Sequence, residues 1–278
     1  MSETSTLMDR RASHRGVDDR RRQAREPFVE FRDLFKAYGS KEVLRGANLQ
    51  VYRGEVLVIL GGSGTGKSVT LRHMLGLEAP DSGRVIVEEE DITDLPEEEL
   101  YRIRKKFGML FQSGALFDSM NVFENIAFPL REHTDMSDDE IARAVREKLE
   151  LVNLPNTEQL MPVDLSGGMR KRVGLARSIV LDPKVILYDE PTTGLDPITS
   201  QTINDLIVDL QAKLSVTSVV VTHDIHSAFF VGDRIAFLNQ GVFEWVGTME
   251  DARDSDHPKL REFLKASAVV AAQPTKKS

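Results

Sequence analysis

The stretch Val56-Leu57-Val58-Ile59-Leu60-Gly61-Gly62-Ser63-Gly64-Thr65-Gly66-Lys67-Ser68 decides the fold of this 278-residue chain. Its first five residues are apolar without a break, as in a strand buried on both faces. The next eight satisfy G-x-x-x-x-G-K-[ST], and a helix is predicted to begin near Lys67. Glycines let backbone N–H groups approach phosphate oxygens with no side chain in the way, and the helix N-terminus adds roughly half a positive charge. Gly61, Gly62, Ser63, Gly64, Thr65 and Gly66 therefore form a phosphate cradle that runs into Lys67, Ser68 and Val69. Lys67 is the cation for the β- and γ-phosphates, and Ser68 is a hydroxyl ligand for Mg²⁺. A strand, this loop and a helix together define a nucleotide site.

Two further apolar runs extend the pattern. Val185-Ile186-Leu187-Tyr188 ends in Asp189-Glu190, and Ser218-Val219-Val220-Val221 ends in Thr222-His223. Buried strands with polar residues at their C-terminal ends describe a parallel sheet that binds ligands along one edge. Alone, two acids ending a strand fit a helix cap or a solvated corner as well as a site. Beside the phosphate loop, Asp189 is expected to hold Mg²⁺, and Glu190 to orient or deprotonate the attacking water. Alternation along an extended chain is expected to turn the two side chains in different directions.

Upstream, Phe28 to Phe31 and Val43 to Val51 read as strands joined through Tyr38-Gly39-Ser40. From Gln112 to about Asp182 the pattern is mainly helical, with Ser137-Asp138-Asp139-Glu140 as a capping box and Ile141, Val145, Leu149 and Val152 on one face. Asp196-Pro197 caps a helix whose apolar stripe is Ile203, Leu206, Ile207, Leu210 and Leu214. Arg234 to Val246 reads as a hairpin turning at Asn239-Gln240-Gly241, and Pro258 to Ala266 as one short helix. The acid run Glu88 to Asp91 reads as a solvated turn. Within the helical insertion, Leu116, Phe117, Phe123 and Phe128 read as core rather than as a docking surface.

Composition narrows the function classes. The chain carries 36 Lys+Arg against 44 Asp+Glu, a net charge of −8, so no nucleic-acid partner held by bulk electrostatics is expected. Apolar runs are strand-sized, far short of the ~20 residues a membrane helix needs, and no apolar run marks a secretory signal. The absence of Cys removes disulfide, thiolate and Cys-nucleophile chemistry and suits a reducing, cytoplasmic setting. Residues 1–26 are polar and arginine-rich and read as a solvated tail, or alternatively as an arm for an anionic membrane surface. The chain divides into that disordered tail, a nucleotide-binding domain over 27–250, and a C-terminal helix and tail over 251–278.

Leu165-Ser166-Gly167-Gly168-Met169-Arg170-Lys171-Arg172 resembles the signature motif of ABC ATPases, and Gly194-Leu195-Asp196-Pro197 resembles their D-loop. Gln112 after Phe111 is similar to the Q-loop glutamine, His223 to the switch histidine, and Tyr38 to the aromatic that stacks on adenine. These elements follow the family's order from about Phe28 to Gly247. Phe111 to Phe117, Asn121 to Thr134 and Leu160-Met161-Pro162 resemble in particular the ATPase subunit of Mla-type, MCE-associated lipid transporters. Met169, where most of the family has Gln, is shared with that subgroup; Gly62 stands where Pro is more usual.

The resemblance implies an α/β P-loop NTPase core with a parallel sheet, an antiparallel β subdomain and an inserted helical subdomain at about 112–182. It also implies ATP and Mg²⁺ as ligands, with Gln112 sensing metal and γ-phosphate. His223 would donate to that phosphate and hold Glu190. A head-to-tail homodimer would share two ATP molecules, Ser166, Gly167 and Gly168 of one chain meeting the nucleotide held by the other, with Asp196 nearby. A separate transmembrane permease, and an MCE-domain protein, would complete a machine at the cytoplasmic face of the inner membrane that moves phospholipid or another hydrophobic molecule. Tyr38 suits core packing as well as stacking. A soluble ABC ATPase would need a second cassette or a coiled-coil insertion, and a GTP switch an Asn-Lys-x-Asp stretch; the chain has none of these. A subunit that binds ATP only for structure is disfavoured by the presence of both Glu190 and His223. The His223/His226 pair finds no third ligand at metal-binding spacing.

Overall fold

β3 (Val56–Leu60) is buried at every position, and its side chains divide between two cores. Val56, Val58 and Leu60 enter one, Leu57 and Ile59 the other, the two-residue period of an extended chain. Each fully buried Leu or Ile contributes about 1.5–3 kcal/mol. The computed structural model describes residues 26–266. In it β3 pairs in parallel with β8 (Thr217–Thr222) and β9 (Arg234–Asn239). β8 pairs with β7 (Val185–Asp189), and β7 with β6 (Phe107–Leu110), again in parallel. β10 (Val242–Thr248) closes the other edge as an antiparallel hairpin with β9. The six-stranded order is β10-β9-β3-β8-β7-β6.

A second, four-stranded sheet holds β1 (Pro27–Tyr38), β2 (Lys41–Tyr52), β4 (Ser82–Val87) and β5 (Glu90–Asp91) in the antiparallel order β2-β1-β4-β5. Phe28, Phe31, Leu34, Leu44 and Leu49 from it pack with α1 (Lys67–Met74) against one face of the main sheet. The opposite face is covered by α6 (Pro197–Leu214) and α7 (Ile225–Val231), and this core continues into the helical segment. That segment contains α3 (Val122–His133), α4 (Asp138–Leu151) and α5 (Gly167–Ser178); α2 (Glu97–Arg104) precedes it.

The caps follow the sequence. Asn121 accepts the Glu124 N–H at 2.8 Å, the Ser137 N–H donates to Glu140 at 2.8 Å, and Asp196 accepts from Ile198 and Thr199 at 3.0 Å; each satisfies an N–H at or near a helix start. Ile141, Val145, Leu149 and Val152 are all buried.

Three expectations need correction. Besides α9 (Pro258–Ala266) the structure has α8 (Met249–Asp254), which straddles the expected boundary at 250; Met249, Leu260 and Leu264 join the main core. Glu88–Glu89 do form a turn, but the Glu88 carboxylate is not simply solvated, because Arg53, Lys106 and Lys184 surround it at 2.8–3.0 Å, and Glu90–Asp91 pairs with β4 as a short strand. Phe117 and Phe128 are not core: both are exposed and meet edge to face at 5.3 Å. The expected tail over 1–26 lies, but for its last residue, outside the described residues, as do residues 267–278.

Candidate functional site

The phosphate loop leaves β3 at Gly61, where a Cβ would collide with the Leu238 carbonyl, so only glycine lets the loop pass so close to β9. It enters α1 through Gly66, whose φ of 106° no side-chain-bearing residue adopts comfortably. Lys67 is 6% exposed and folds back on its own loop, donating to the carbonyls of Gly61 and Gly62 at 2.9 Å each. Its ammonium also lies 3.4 Å from Glu190 Oε1.

The ends of β7 and β8 complete the cluster. Asp189 Oδ1 accepts from the Ser68 hydroxyl at 3.0 Å. Burial raises its carboxyl above the ordinary aspartate value, with the Ser68 bond pulling the other way and the charge of Glu190 adding to the rise. Glu190 Oε2 accepts from His223 Nδ1 at 2.8 Å and from the Thr193 hydroxyl at 3.1 Å. An ionised carboxylate only accepts, so Nδ1 carries the proton, and a neutral ring offers only a lone pair at Nε2. Donation from Nε2 to a phosphate therefore requires the doubly protonated imidazole.

Glu190 reaches this position by a different route from simple strand alternation. β7 ends at Asp189, and Glu190 has a φ of 50°, a left-handed turn that aims its carboxylate back toward Lys67. The Glu190 N–H is anchored on the Val221 carbonyl at 2.9 Å.

Ser68 and Asp189 suit Mg²⁺. Both offer hard oxygens, they already touch, and Mg²⁺ is normally held by one or two protein oxygens together with phosphates rather than by an all-protein cage. Among the described residues no group of three or more His, Asp or Glu forms such a cage. Gln112 is exposed in the loop after β6. Tyr38 is not in the core: its ring is 43% exposed, while its hydroxyl donates to Glu78 at 2.6 Å and accepts from Arg72 at 3.2 Å. The ring is thus held beside α1, partly exposed, with the Lys36 ammonium 5.7 Å from its centroid.

The signature segment lies elsewhere. Ser166 caps α5, accepting from the Met169 N–H at 3.3 Å, and Gly168 lies so close to Thr199 on α6 that a Cβ there would collide with it. No hydrogen bond or ion pair among the described residues links 166–168 to 61–68. Lys171, on the same helix, escaped the sequence reading as a separate feature. It is 4% exposed, and its ammonium donates to the carbonyls of Glu190, Pro191 and Thr193.

Between the core and the helical segment runs a groove of about 490 Å³ lined by Tyr101, Phe111, Phe117, Phe128, Arg177 and their neighbours. Tyr101 and His133 bridge it with a 2.5 Å hydrogen bond. No helix among the described residues is long and apolar enough to cross a membrane.

A parallel sheet with a phosphate loop, two carboxylates and a histidine at one edge is a P-loop nucleotide-binding core. The family model described as ABC transporter matches residues 44–193. The probable ribonucleotide transport ATP-binding protein mkl of Mycobacterium leprae is 44% identical over 241 residues, 87% of this chain and 70% of its own length. The intermembrane phospholipid transport system ATP-binding protein MlaF of Escherichia coli K12 is 40% identical over 240 residues, 86% of this chain and 89% of its own. The dimeric ATP-binding cassette MJ0796, in a post-hydrolysis state with ADP and Pi, shares 34% identity and a TM-score of 0.74 over 80% of this chain and 98% of that one. The chain belongs to the ABC transporter family. It is the ATP-binding subunit, an ATPase that uses ATP with Mg²⁺.

Proposed function

We propose that Lys67 and the backbone of Gly61–Val69 hold the triphosphate, that Ser68, Asp189 and Gln112 hold Mg²⁺, and that Glu190 is the general base. The supporting observation is the meeting of Lys67, Ser68, Asp189, Glu190 and His223 at one sheet edge within 2.8–3.4 Å contacts. Mg²⁺ held by these residues would supply neutralisation of phosphate charge. The incoming γ-phosphate draws the Lys67 ammonium away from Glu190, and the freed carboxylate takes a proton from the attacking water. His223 and Thr193 fix the carboxylate's direction meanwhile, and Tyr38 offers its partly exposed ring to adenine.

Two copies act together. The N-terminus of α5 at Ser166, Gly167 and Gly168 is an anion-binding end with no phosphate site of its own chain beside it, so it serves the partner's γ-phosphate, with Asp196 at the same face. Residues 27–250, with α8 and α9 packed on the same core, form the ATPase unit, with about 112–182 as its helical part. The aromatic groove between the two receives a permease, which keeps the subunit at the cytoplasmic face of a bacterial inner membrane. The likeness to MlaF supports phospholipid, or another hydrophobic molecule, as cargo and an MCE-domain protein as a further partner. The similar identity to mkl favours a second reading, a transporter of a non-lipid substrate. The complex co-purified from its native membrane and placed in vesicles separates them. ATP-dependent movement of labelled phospholipid is expected; movement of ribonucleotide with phospholipid left in place overturns the lipid assignment.

A further inference from the structure

Lys171 is a buried cation for which the proposed chemistry has no task. Its ammonium donates to the carbonyls of Pro191 at 2.6 Å, Thr193 at 2.8 Å and Glu190 at 3.3 Å, a full complement for three N–H donors. Burial pulls it down to about 8, so it remains mostly charged near neutral pH. Filling the same space needs no charge, since an apolar side chain of that length avoids the cost of desolvation.

What the ammonium grips is the segment that aims the base. Glu190 has left-handed backbone geometry, which a side chain of that size does not favour. Its N–H is tied to β8 through Val221, and its carbonyl and the next two segments are tied to α5 through Lys171. Thr193, whose carbonyl is the third acceptor, also donates its hydroxyl to the Glu190 carboxylate. Without the ammonium, the Pro191 and Thr193 carbonyls are left without a donor and must turn away to find one, and the Glu190 carbonyl keeps only the Thr193 N–H at 3.2 Å. The Glu190 carboxylate moves with them.

We infer that Lys171 is a positioning residue for ATP hydrolysis, holding the Glu190 carboxylate in line through the carbonyls of Glu190, Pro191 and Thr193. Because Lys171 stands on the helix that begins at Gly167, the seating of that helix N-terminus is passed to the base of the same chain. This rests on Glu190 acting as the base.

The test uses the full chain co-purified with its membrane companion. Lys171→Met, Lys171→Arg and Glu190→Gln are made singly, and the two Lys171 variants are also combined with Glu190→Gln; single-turnover rates and nucleotide affinity are measured for each. Misplacing a catalytic group by about 1 Å costs about 100-fold. Lys171→Met is therefore expected to lower kcat about 10- to 100-fold with ATP affinity and KM within about threefold of wild type, and Lys171→Arg to recover most of the loss. In the Glu190→Gln background Lys171→Met is expected to change the residual rate less than about twofold, since its effect runs through the missing base. Equal losses in both backgrounds, or a wild-type kcat in folded Lys171→Met, overturn the inference. Should Lys171→Met not fold, Lys171→Gln, which is shorter and keeps at most two donors, takes its place: a smaller loss of kcat that disappears in the Glu190→Gln background is expected, and no loss, or an equal loss in both backgrounds, overturns the inference. If Glu190→Gln itself turns over normally, the proposed base fails; if it is slow while Lys171→Met is not, only the positioning role fails.

Discussion

Replacing Glu190 by Gln separates binding from chemistry. The amide keeps an oxygen that can accept from Thr193 and His223, now at 3.1 and 2.8 Å, so the local geometry and the fold are retained. The negative charge 3.4 Å from the Lys67 ammonium is lost. At an effective dielectric of about 20, a unit pair at that distance interacts by about 5 kcal/mol, and most of this is already offset by solvation and neighbouring groups. The triphosphate no longer competes for Lys67 or approaches a carboxylate, so ATP is expected to bind about 1–2 kcal/mol more tightly, roughly five- to thirtyfold. Removal of the base is expected to slow hydrolysis about 10²–10⁴-fold, a barrier increase of about 3–5 kcal/mol. Nucleotide titration and phosphate release at saturating Mg²⁺-ATP, on the same preparation of the complex, read both effects. Turnover within about threefold of wild type, with affinity unchanged, refutes the role assigned to Glu190.

Lys67→Ala removes the only cation folded into the phosphate loop itself and is expected to abolish most ATP affinity in a calorimetric titration; an unchanged isotherm contradicts the phosphate site. Ser166→Arg is expected to spare binding in the isolated chain while blocking hydrolysis, and mixing it with Lys67→Ala to restore at most one composite site; full hydrolysis by a monomer rules out the shared arrangement. Glu88→Gln tests the charge cluster beneath the sheets. Partial burial pushes the Glu88 carboxyl up, but hydrogen bonds from Lys106, Lys184 and Arg53 outweigh it and lower it from 4.5 to about 2. A depressed carboxylate stabilises the fold fully above about 4.5 and loses that contribution as pH falls toward about 2. The shift corresponds to about 3 kcal/mol. Because Arg53 and Lys184 are more than half exposed, screening reduces the expected loss to about 1–2 kcal/mol. Denaturant melts at pH 7 should show that difference and melts near pH 3 a smaller one; a pH-independent gap is the contrary result.

How much of this was legible in the sequence depended on whether a feature is local. The unbroken run Val56–Leu60 and the loop after it specify a buried strand and a phosphate cradle because backbone geometry and glycine placement are properties of consecutive residues. The cap at Asp196 and the stripe on α4 are local in the same way. Phe117 and Phe128 have the hydrophobicity of core residues, and only the fold, which brings them to a groove they share with residues of β6, shows that they face it. Glu88 belongs to a run of acids by sequence, but its partners come from positions 53, 106 and 184. The turn at Glu190 was missed because alternation describes a strand only while it lasts, and β7 stops one residue earlier. For Tyr38 the sequence left two options, and the bonds from its hydroxyl to Glu78 and Arg72 decide for an exposed ring.

Other non-local contacts converge on α5. Its N-terminus presses on α6 at Gly168 and Thr199, its middle grips the Glu190 segment through Lys171, and its last turn meets the loop that follows Gln112. There Gly174 packs so closely that a Cβ would lie 2.8 Å from the Gly114 carbonyl, and Arg177 donates to that carbonyl at 3.1 Å while its guanidinium sits 5.6 Å from the Phe117 ring centroid. Ser178 lies against Gly108 of β6, where no side chain fits. A helix packed this tightly along its length moves as a unit, because close-packed contacts resist continuous deformation. Under the proposed assignments, a partner pressing on the aromatic groove near its C-terminal end and a nucleotide at its N-terminal end would act on one body, with Lys171 between them bound to the segment that carries Glu190. With the groove taken as the membrane companion's site and Ser166–Gly168 as a nucleotide contact, as proposed above, this twelve-residue helix is the expected link between the two.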